Sequence, residues 1–321
     1  MAISQGKQST EAKEFTRFIG VVPVSILAVN PTAKDLEVLT GTKPDQEPNY
    51  LFNKEIDGKQ VKMVRISIKL KPHPLDQSMD IPNLTLTIFL QQSLIYNTTK
   101  TKVKVIDKYG RTGWVTIDEA KNKIVPNDKN GNPLNLDRDY RTTLVGEEDI
   151  TKFIKAFLCI PNPTIYDRDN RHWVANPNVK PEDCECRFTM EDLSNILSGN
   201  FTSIQEALAY QPDNKVKVMV GVRTDPNTQR IYQDVYNKEF IQNSNTTHTV
   251  FQKEITAMID RAALRNVPLA TIYSADHIHE YVAPSSITPT ALSYEVPETP
   301  KTVEGEQLPP VPEEITLDLP F

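Results

Sequence analysis

Three stretches of this chain gather most of their cationic side chains on one parity. From 61 to 71, Arg65, Ser67, Lys69 and Lys71 alternate with the apolar Val64, Ile66, Ile68 and Leu70. From 100 to 106, Lys100, Lys102 and Lys104 share one parity and Val103 and Val105 hold the other. From 215 to 223, Lys215, Lys217 and Arg223 oppose Val216, Val218, Val220 and Val222. Successive side chains of a strand point to opposite faces, so each stretch, folded as a strand, has one apolar and one cationic surface. Aromatic residues stand among these cations. Tyr96 precedes the triple-lysine stretch, and Tyr109, Arg111 and Trp114 follow it. Arg138, Tyr140 and Arg141 form a second knot, Tyr232 and Tyr236 come after Arg223, and Phe15, Arg17 and Phe18 lie near Lys7 and Lys13. Cations that meet phosphates, beside flat rings that stack bases at about 1–3 kcal/mol each, are what a groove for single-stranded nucleic acid needs. On this reading Arg65, Lys69, Lys100, Lys102, Lys104, Arg111, Lys217 and Arg223 are the phosphate candidates. Tyr96, Tyr109, Trp114 and Tyr140 are the stacking candidates. The plainer reading of any one of them is a solvated lysine face with its aromatics in the core.

The elements that must position these residues are mostly strands. Phe18 to Val29 is almost continuously apolar and reads as a central strand. Leu84, Leu86, Ile88 and Leu90 make another apolar stripe, opposed by Thr85, Thr87 and Phe89. Asp57-Gly58 links 49–56 to the strand from 61, a two-residue hairpin turn. Asp107-Lys108-Tyr109-Gly110 links the lysine strand to 111–117, and Asp225-Pro226-Asn227 links the 216 strand to 230–240. Thr32/Asp35, Thr116/Glu119 and Ser203/Glu206 read as helix starts, the latter two meeting the Glu/Gln requirement of a capping box. A helix is expected over 147–158, with Ile150, Phe153, Ile154 and Phe157 on one face, and another over 250–264. The expected fold is mainly β with added helices: an OB-like, partly open β-barrel over residues 1–283, with a helical insertion around 146–210. Five or six strands of this length also suit a sandwich.

Residues 284–321 differ in kind. They hold eight of the 24 prolines and no apolar period, so they read as a disordered, acidic linker. Residues 295–321 carry seven acids and one base, which is the whole −6 of the chain. Residues 1–294 therefore balance at 35 bases and 35 acids, and the net charge does not argue against a polyanionic partner. The segment closes on Asp318, Leu319, Pro320 and Phe321, an apolar and anionic tip suited to a pocket with an apolar slot and a basic rim. Over the whole chain, 38% hydrophobic and 24% charged residues fit a soluble globular body with a polar appendage. No apolar run approaches 18 residues, and the first residues lack the apolar core of a signal peptide. Three cysteines suggest a reducing compartment, so a cytoplasmic location is expected.

Other chemistry is weaker. Cys159, His172, Cys184 and Cys186 could be read as a Cys₃His zinc set, but Cys-x-Cys is tighter than the usual ligand spacing, and Cys159 reads as the buried end of a helix. The alternative is free thiols with a packed His172-Trp173 pair. His277 and His279 share a strand parity without a distant partner. No phosphate-binding loop, dinucleotide fingerprint, zincin motif or nucleophile elbow occurs, and 11 glycines leave little for phosphate cradles. No cofactor, no metal and no enzymatic activity are expected.

The tip Asp318-Leu319-Pro320-Phe321 resembles the Asp-Ile-Pro-Phe end of bacterial single-stranded DNA-binding proteins, and phage replication counterparts have the same kind of tail. The body, over much of 15–240, resembles the single-stranded DNA-binding proteins of crAss-like phages. The stretches concerned are Phe18-Ile19-Gly20-Val21, Ala28-Val29-Asn30-Pro31, 105–112, Lys215-Val216-Lys217-Val218 and Gly221-Val222-Arg223-Thr224. The acids before the tip are spaced by Ile315 and Leu317, a departure from the bacterial aspartate run. The resemblance implies a non-enzymatic protein that coats single-stranded DNA in replication, recombination and repair inside the host cell. Residues 318–321 would recruit replication proteins, and the tail could fold over the cationic groove when DNA is absent. The competing expectation is a virion structural or cargo protein docked through its tail.

Overall fold

The computed structural model describes residues 18–56, 58–73, 82–128, 131–170, 172–209, 214–224, 231–243 and 271–272. The chain opens with β1 (Phe18–Val29), α1 (Ala33–Thr40), β2 (Leu51–Ile56), β3 (Lys59–Pro72) and β4 (Leu84–Leu94). A smaller unit follows: β5 (Lys102–Asp107), β6 (Thr112–Thr116), α2 (Ile117–Lys121) and β7 (Tyr140–Thr142). Then come β8 (Leu144–Val145), α3 (Glu147–Phe157), the ribbon strands β9 (Thr164–Asp167) and β10 (His172–Ala175), α4 (Met190–Leu197) and α5 (Thr202–Ala209). The main sheet is completed by β11 (Val216–Thr224), β12 (Ile231–Gln242) and β13 (Thr271–Ile272). The expected helix over 250–264, the Asp225-Pro226-Asn227 turn and the tail lie outside the described residues.

The protein is mainly β, with a curled half-barrel sheet and a few helices. That sheet runs β12-β11-β1-β3-β4-β8, with β2 on β3 and β13 on β1. β1 is central, as its continuous apolar run predicts, and the β1–β3 and β11–β12 registers each shift once. Such bulges bend a strand and favour curling. The even residues of β3 and β4, Ile66, Ile68, Leu86 and Ile88, are wholly buried and pack with Phe153 and Phe157 of α3 and Ile196 of α4. The period-2 pattern and the expected α3 face thus meet in one core. β5, β6 and β7 form a separate three-stranded sheet, and β9–β10 a two-stranded ribbon. No described helix is long and apolar enough to cross a membrane.

The helix starts follow local chemistry, with two differences from the sequence reading. Asp35 and Asp192 close capping boxes on Thr32 and Thr189 as fully as Glu119 does on Thr116, because the shorter carboxylate still reaches the cap N–H at 2.9 and 3.0 Å. Ser203 is no cap. It lies inside α5, and its hydroxyl is buried with no hydrogen-bond partner. Gly146, at φ +87°, starts α3 where a Cβ would stand 2.0 Å from the Phe89 carbonyl oxygen. Gly41, at φ +71°, has open space around it. Gly41→Ala should therefore cost only the left-handed penalty of about 1–2 kcal/mol. Gly146→Ala adds a backbone clash and should cost roughly twice as much. Urea unfolding compares the two directly; equal losses would mean that β4 and the α3 start are not in close contact.

Candidate functional site

The two-residue turn at 57–58, with Gly58 at φ +75°, sets the β2–β3 register: Ile56 faces Lys59, Lys54 faces Val61 and Phe52 faces Met63. Directly opposed residues of an antiparallel pair share a face. Beyond the last of these pairs the Arg65 N–H donates to the Tyr50 carbonyl at 2.8 Å, so Tyr50, Phe52 and Arg65 lie together on the face opposite Val64 and Ile66, the Tyr50 ring also meeting Phe201 edge-on at 6.1 Å. The Arg65 guanidinium is 5.5 Å from the Tyr50 ring centroid and 5.6 Å from that of Phe52, and it donates to the Asn49 carbonyl at 2.9 Å. Its Nε is buried without a partner. Across the other edge of β3, Arg65 faces Phe89, which is 44% exposed. Lys69 follows on the same face and donates to Thr85 Oγ1 at 2.9 Å, and Lys71 is exposed beyond it.

This face extends through β1 to β11. Ser25 faces Lys71 and Pro23 faces Lys217, so two of the three cationic strands turn their cations to the same side of the sheet. Lys217 is nevertheless 0% exposed and Lys215 7%, which removes Lys217 from the accessible phosphate candidates. The cations crowd one another. Burial, then the Arg65 charge, lower the Lys69 ammonium below its ordinary value. Burial, then Lys215 and Lys71, push His73 down to about 4. His73 Nε2 is hydrogen-bonded to Ser25 Oγ at 2.8 Å.

The third cationic strand, β5, lies on the other sheet, and there Lys104 and the nearby Arg111 serve carboxylates. Lys104 pairs with Glu148, which Lys152 also holds at 3.0 Å. Burial pushes Glu148 up, but the two lysines outweigh it and hold the carboxyl below its ordinary value. Arg111 donates through Nε to the fully buried Asp107 at 2.7 Å and through Nη1 to Asn135 at 2.7 Å. Arg111 and Lys104 are thus structural ions before they are phosphate ligands. Lys100 is exposed but precedes the strand, in a turn at φ +53° that the Asn97 carbonyl closes; Lys102 is exposed at the strand start.

The stacking candidates divide. Tyr109 and Tyr140 are 6% and 1% exposed and belong to the interior, Tyr140 with its hydroxyl turned to the Glu119 and Ile124 carbonyls. Tyr96 and Trp114 are 41% and 38% exposed, but Tyr96 bridges Val103 while Trp114 faces Lys104, so they occupy opposite faces of the small sheet. Arg223 is on β11 opposite Tyr232, its side chain outside the described residues, as are Asp318, Leu319, Pro320 and Phe321. Phe52 and Phe89 were missed in the sequence reading. The signal for Phe89 was its parity with Thr85 and Thr87, and for Phe52 the register that the 57–58 turn dictates.

Among the described residues no group of three His, Cys, Asp or Glu is placed to hold a metal ion. Cys159 is exposed at φ +54°, not a buried helix end. Cys184 is buried, and burial pushes the Cys186 thiol up to about 11, away from the thiolate that metals bind. His172 and Trp173 do not pack together: Trp173 is 49% exposed and meets Tyr166 edge-on at 5.4 Å across the ribbon. Comparison with known protein families, curated proteins and solved structures finds no match for this chain.

The crowded histidine gives a pH test. Unfolded, His73 takes up its proton near 6.5; folded, it does so near 4. Its contribution is constant above pH 6.5 and destabilises the fold progressively as pH falls from 6.5 to 4, because only the unfolded chain gains the proton. Unfolding free energies at pH 7 and pH 5 should fall less for His73→Gln than for the unaltered chain. Equal losses would refute the depression of His73 by its burial and the neighbouring lysines.

Proposed function

We propose that this chain binds single-stranded DNA without regard to sequence, through the outer face of β2, β3 and β4. The observation that carries the reading is Arg65 held among Tyr50, Phe52 and the half-exposed Phe89, with Lys69 and Lys71 continuing along the same strand face. Among the described residues no carboxylate pairs with these three cations. A cationic row beside the half-exposed Phe89 ring meets the two needs of an unpaired strand, phosphate neutralisation and a surface for bases. The curled half-barrel suits the OB type of nucleic-acid-binding barrel in this reading. The role is binding in phage replication and recombination, not catalysis. The acidic segment 295–321 would compete with DNA for the cations and recruit replication proteins through 318–321.

Filter binding of oligothymidine over a salt series tests the proposal. Affinity should fall with log[salt] at about 0.7 per phosphate neutralised. Lys71→Ala, at an exposed site, should flatten that slope by about one such increment, and Phe89→Ala should weaken binding by about 1–3 kcal/mol without changing the slope. Lys217→Ala is the control, because its buried ammonium meets no phosphate. No measurable oligothymidine affinity at low salt would end the proposal.

Removing residues 304–321 takes away five of the seven tail acids. Binding should tighten at low salt and converge with the full chain at high salt, where competition is screened. Unchanged affinity at all salt concentrations would exclude the competition while leaving DNA binding intact.

A further inference from the structure

β4 stays in the main sheet past Phe89 to its end at Leu94, and the chain reaches Tyr96 seven residues beyond Phe89, at most about 23 Å away at the rise of an extended strand. There the chain forms an isolated bridge to Val103 of β5 and turns back. The turn is closed by Asn97, whose carbonyl accepts the Lys100 N–H at 2.9 Å and whose side-chain oxygen accepts the Lys102 N–H at 2.9 Å. Tyr96 is left over a pocket of about 270 Å³ between β5, α2 and β7. Val103 and the Tyr140 ring form its floor, Tyr96 and Ile117 its partly exposed mouth, and Lys121 and Lys123 its exposed rim.

The pocket is rigid where it matters. The Tyr140 hydroxyl is held by the Glu119 and Ile124 carbonyls, and the Lys123 Nζ donates to the Tyr140 carbonyl and stands 5.0 Å from its ring centroid. Its volume lies below the ~300–1,000 Å³ of sites for drug-sized ligands, so it suits one small ring system. An apolar slot beside two exposed lysines, with Lys100 and Lys102 exposed on the adjoining turn, matches a ligand that joins a flat ring to a phosphate.

We infer that this pocket is a second nucleic-acid site, which takes a single unstacked nucleobase while Lys121 and Lys123 meet the phosphates that flank it. The inference rests on the single-strand reading above but uses different residues. Seven residues separate the Phe89 platform from this slot, and one base of the bound strand would leave the stack to enter it. The chemistry, a base carrying a phosphate, is shared by a residue of a bound strand and by a free mononucleotide.

Photocrosslinking separates the possibilities. An oligothymidine with 5-iododeoxyuridine at each position in turn is irradiated with the full chain, and the adducts are mapped by mass spectrometry. The expected result is an adduct on the Tyr96 peptide as well as on the Phe89 peptide. Ile117→Trp, a change at a half-exposed position that fills the slot, should remove the Tyr96 adduct and lower oligothymidine affinity about fivefold. Millimolar thymidine monophosphate that suppresses only the Tyr96 adduct would identify a pocket open to free nucleotides; no suppression would identify one filled from the strand. Oligothymidine that binds and labels only the Phe52 and Phe89 region overturns the inference and leaves the proposed function standing. Absence of any oligothymidine binding removes both.

Discussion

A carboxylate withdrawn from water has to be neutralised and fully hydrogen-bonded, and two such groups organise this molecule. Glu147 is 0% exposed and accepts from Arg141 through both guanidinium nitrogens, from Thr143 Oγ1 at 3.0 Å and from the Leu144 N–H at 3.1 Å. Arg141 in turn donates to the Phe188 carbonyl. One ion pair therefore joins β7, β8, the start of α3 and the approach to α4. Asp107 does the same for the β5–β6 hairpin, accepting the N–H groups of Tyr109, Arg111 and Asp137 as well as the Arg111 side chain. Removing either acid would leave a buried arginine without its counter-ion, which costs far more than a lost surface pair.

That requirement decides which cations remain for a partner. On the small sheet Lys104, Arg111 and Arg141 all answer internal acids. On the outer face of the main sheet Lys69 and His73 are both depressed, first by burial and then by neighbouring cations, Arg65 for the lysine and Lys215 and Lys71 for the histidine. A positive field of this kind is unfavourable to the folded chain by itself and is relieved by any anion that settles on it.

How much of this could be read from the sequence depends on what each pattern encodes. Alternation fixes parity, and parity correctly separated Val64, Ile66, Ile68 and Leu70 from Arg65, Lys69 and Lys71. It does not say whether the polar side is covered, and so Lys217 shares the face of Lys71 yet is wholly buried. It also does not reveal charge pairing between distant segments. Lys104 and Glu148 are 44 residues apart, and nothing local in either marks the other. Tyr140 stands between Arg138 and Arg141, which suggested a stacking site; its burial comes from the β5–β7 pairing that turns it inward beside Val105. Turn chemistry was the more informative guide. Two residues between β2 and β3 fix every pairing of that hairpin, and the Tyr50, Phe52 and Arg65 cluster follows from it.

The ribbon of β9 and β10 has a practical bearing on any spectroscopy of this protein. The chain has two tryptophans, Trp114 on β6 and Trp173 on the ribbon, 38% and 49% exposed. Neither indole reports on the Phe153–Phe157 interior. Intrinsic emission will already be red-shifted in the native state and will change little when the sheet melts, so circular dichroism is the better witness of denaturation. The same surface position makes both indoles sensitive to quenchers and to whatever docks on the outside of the molecule.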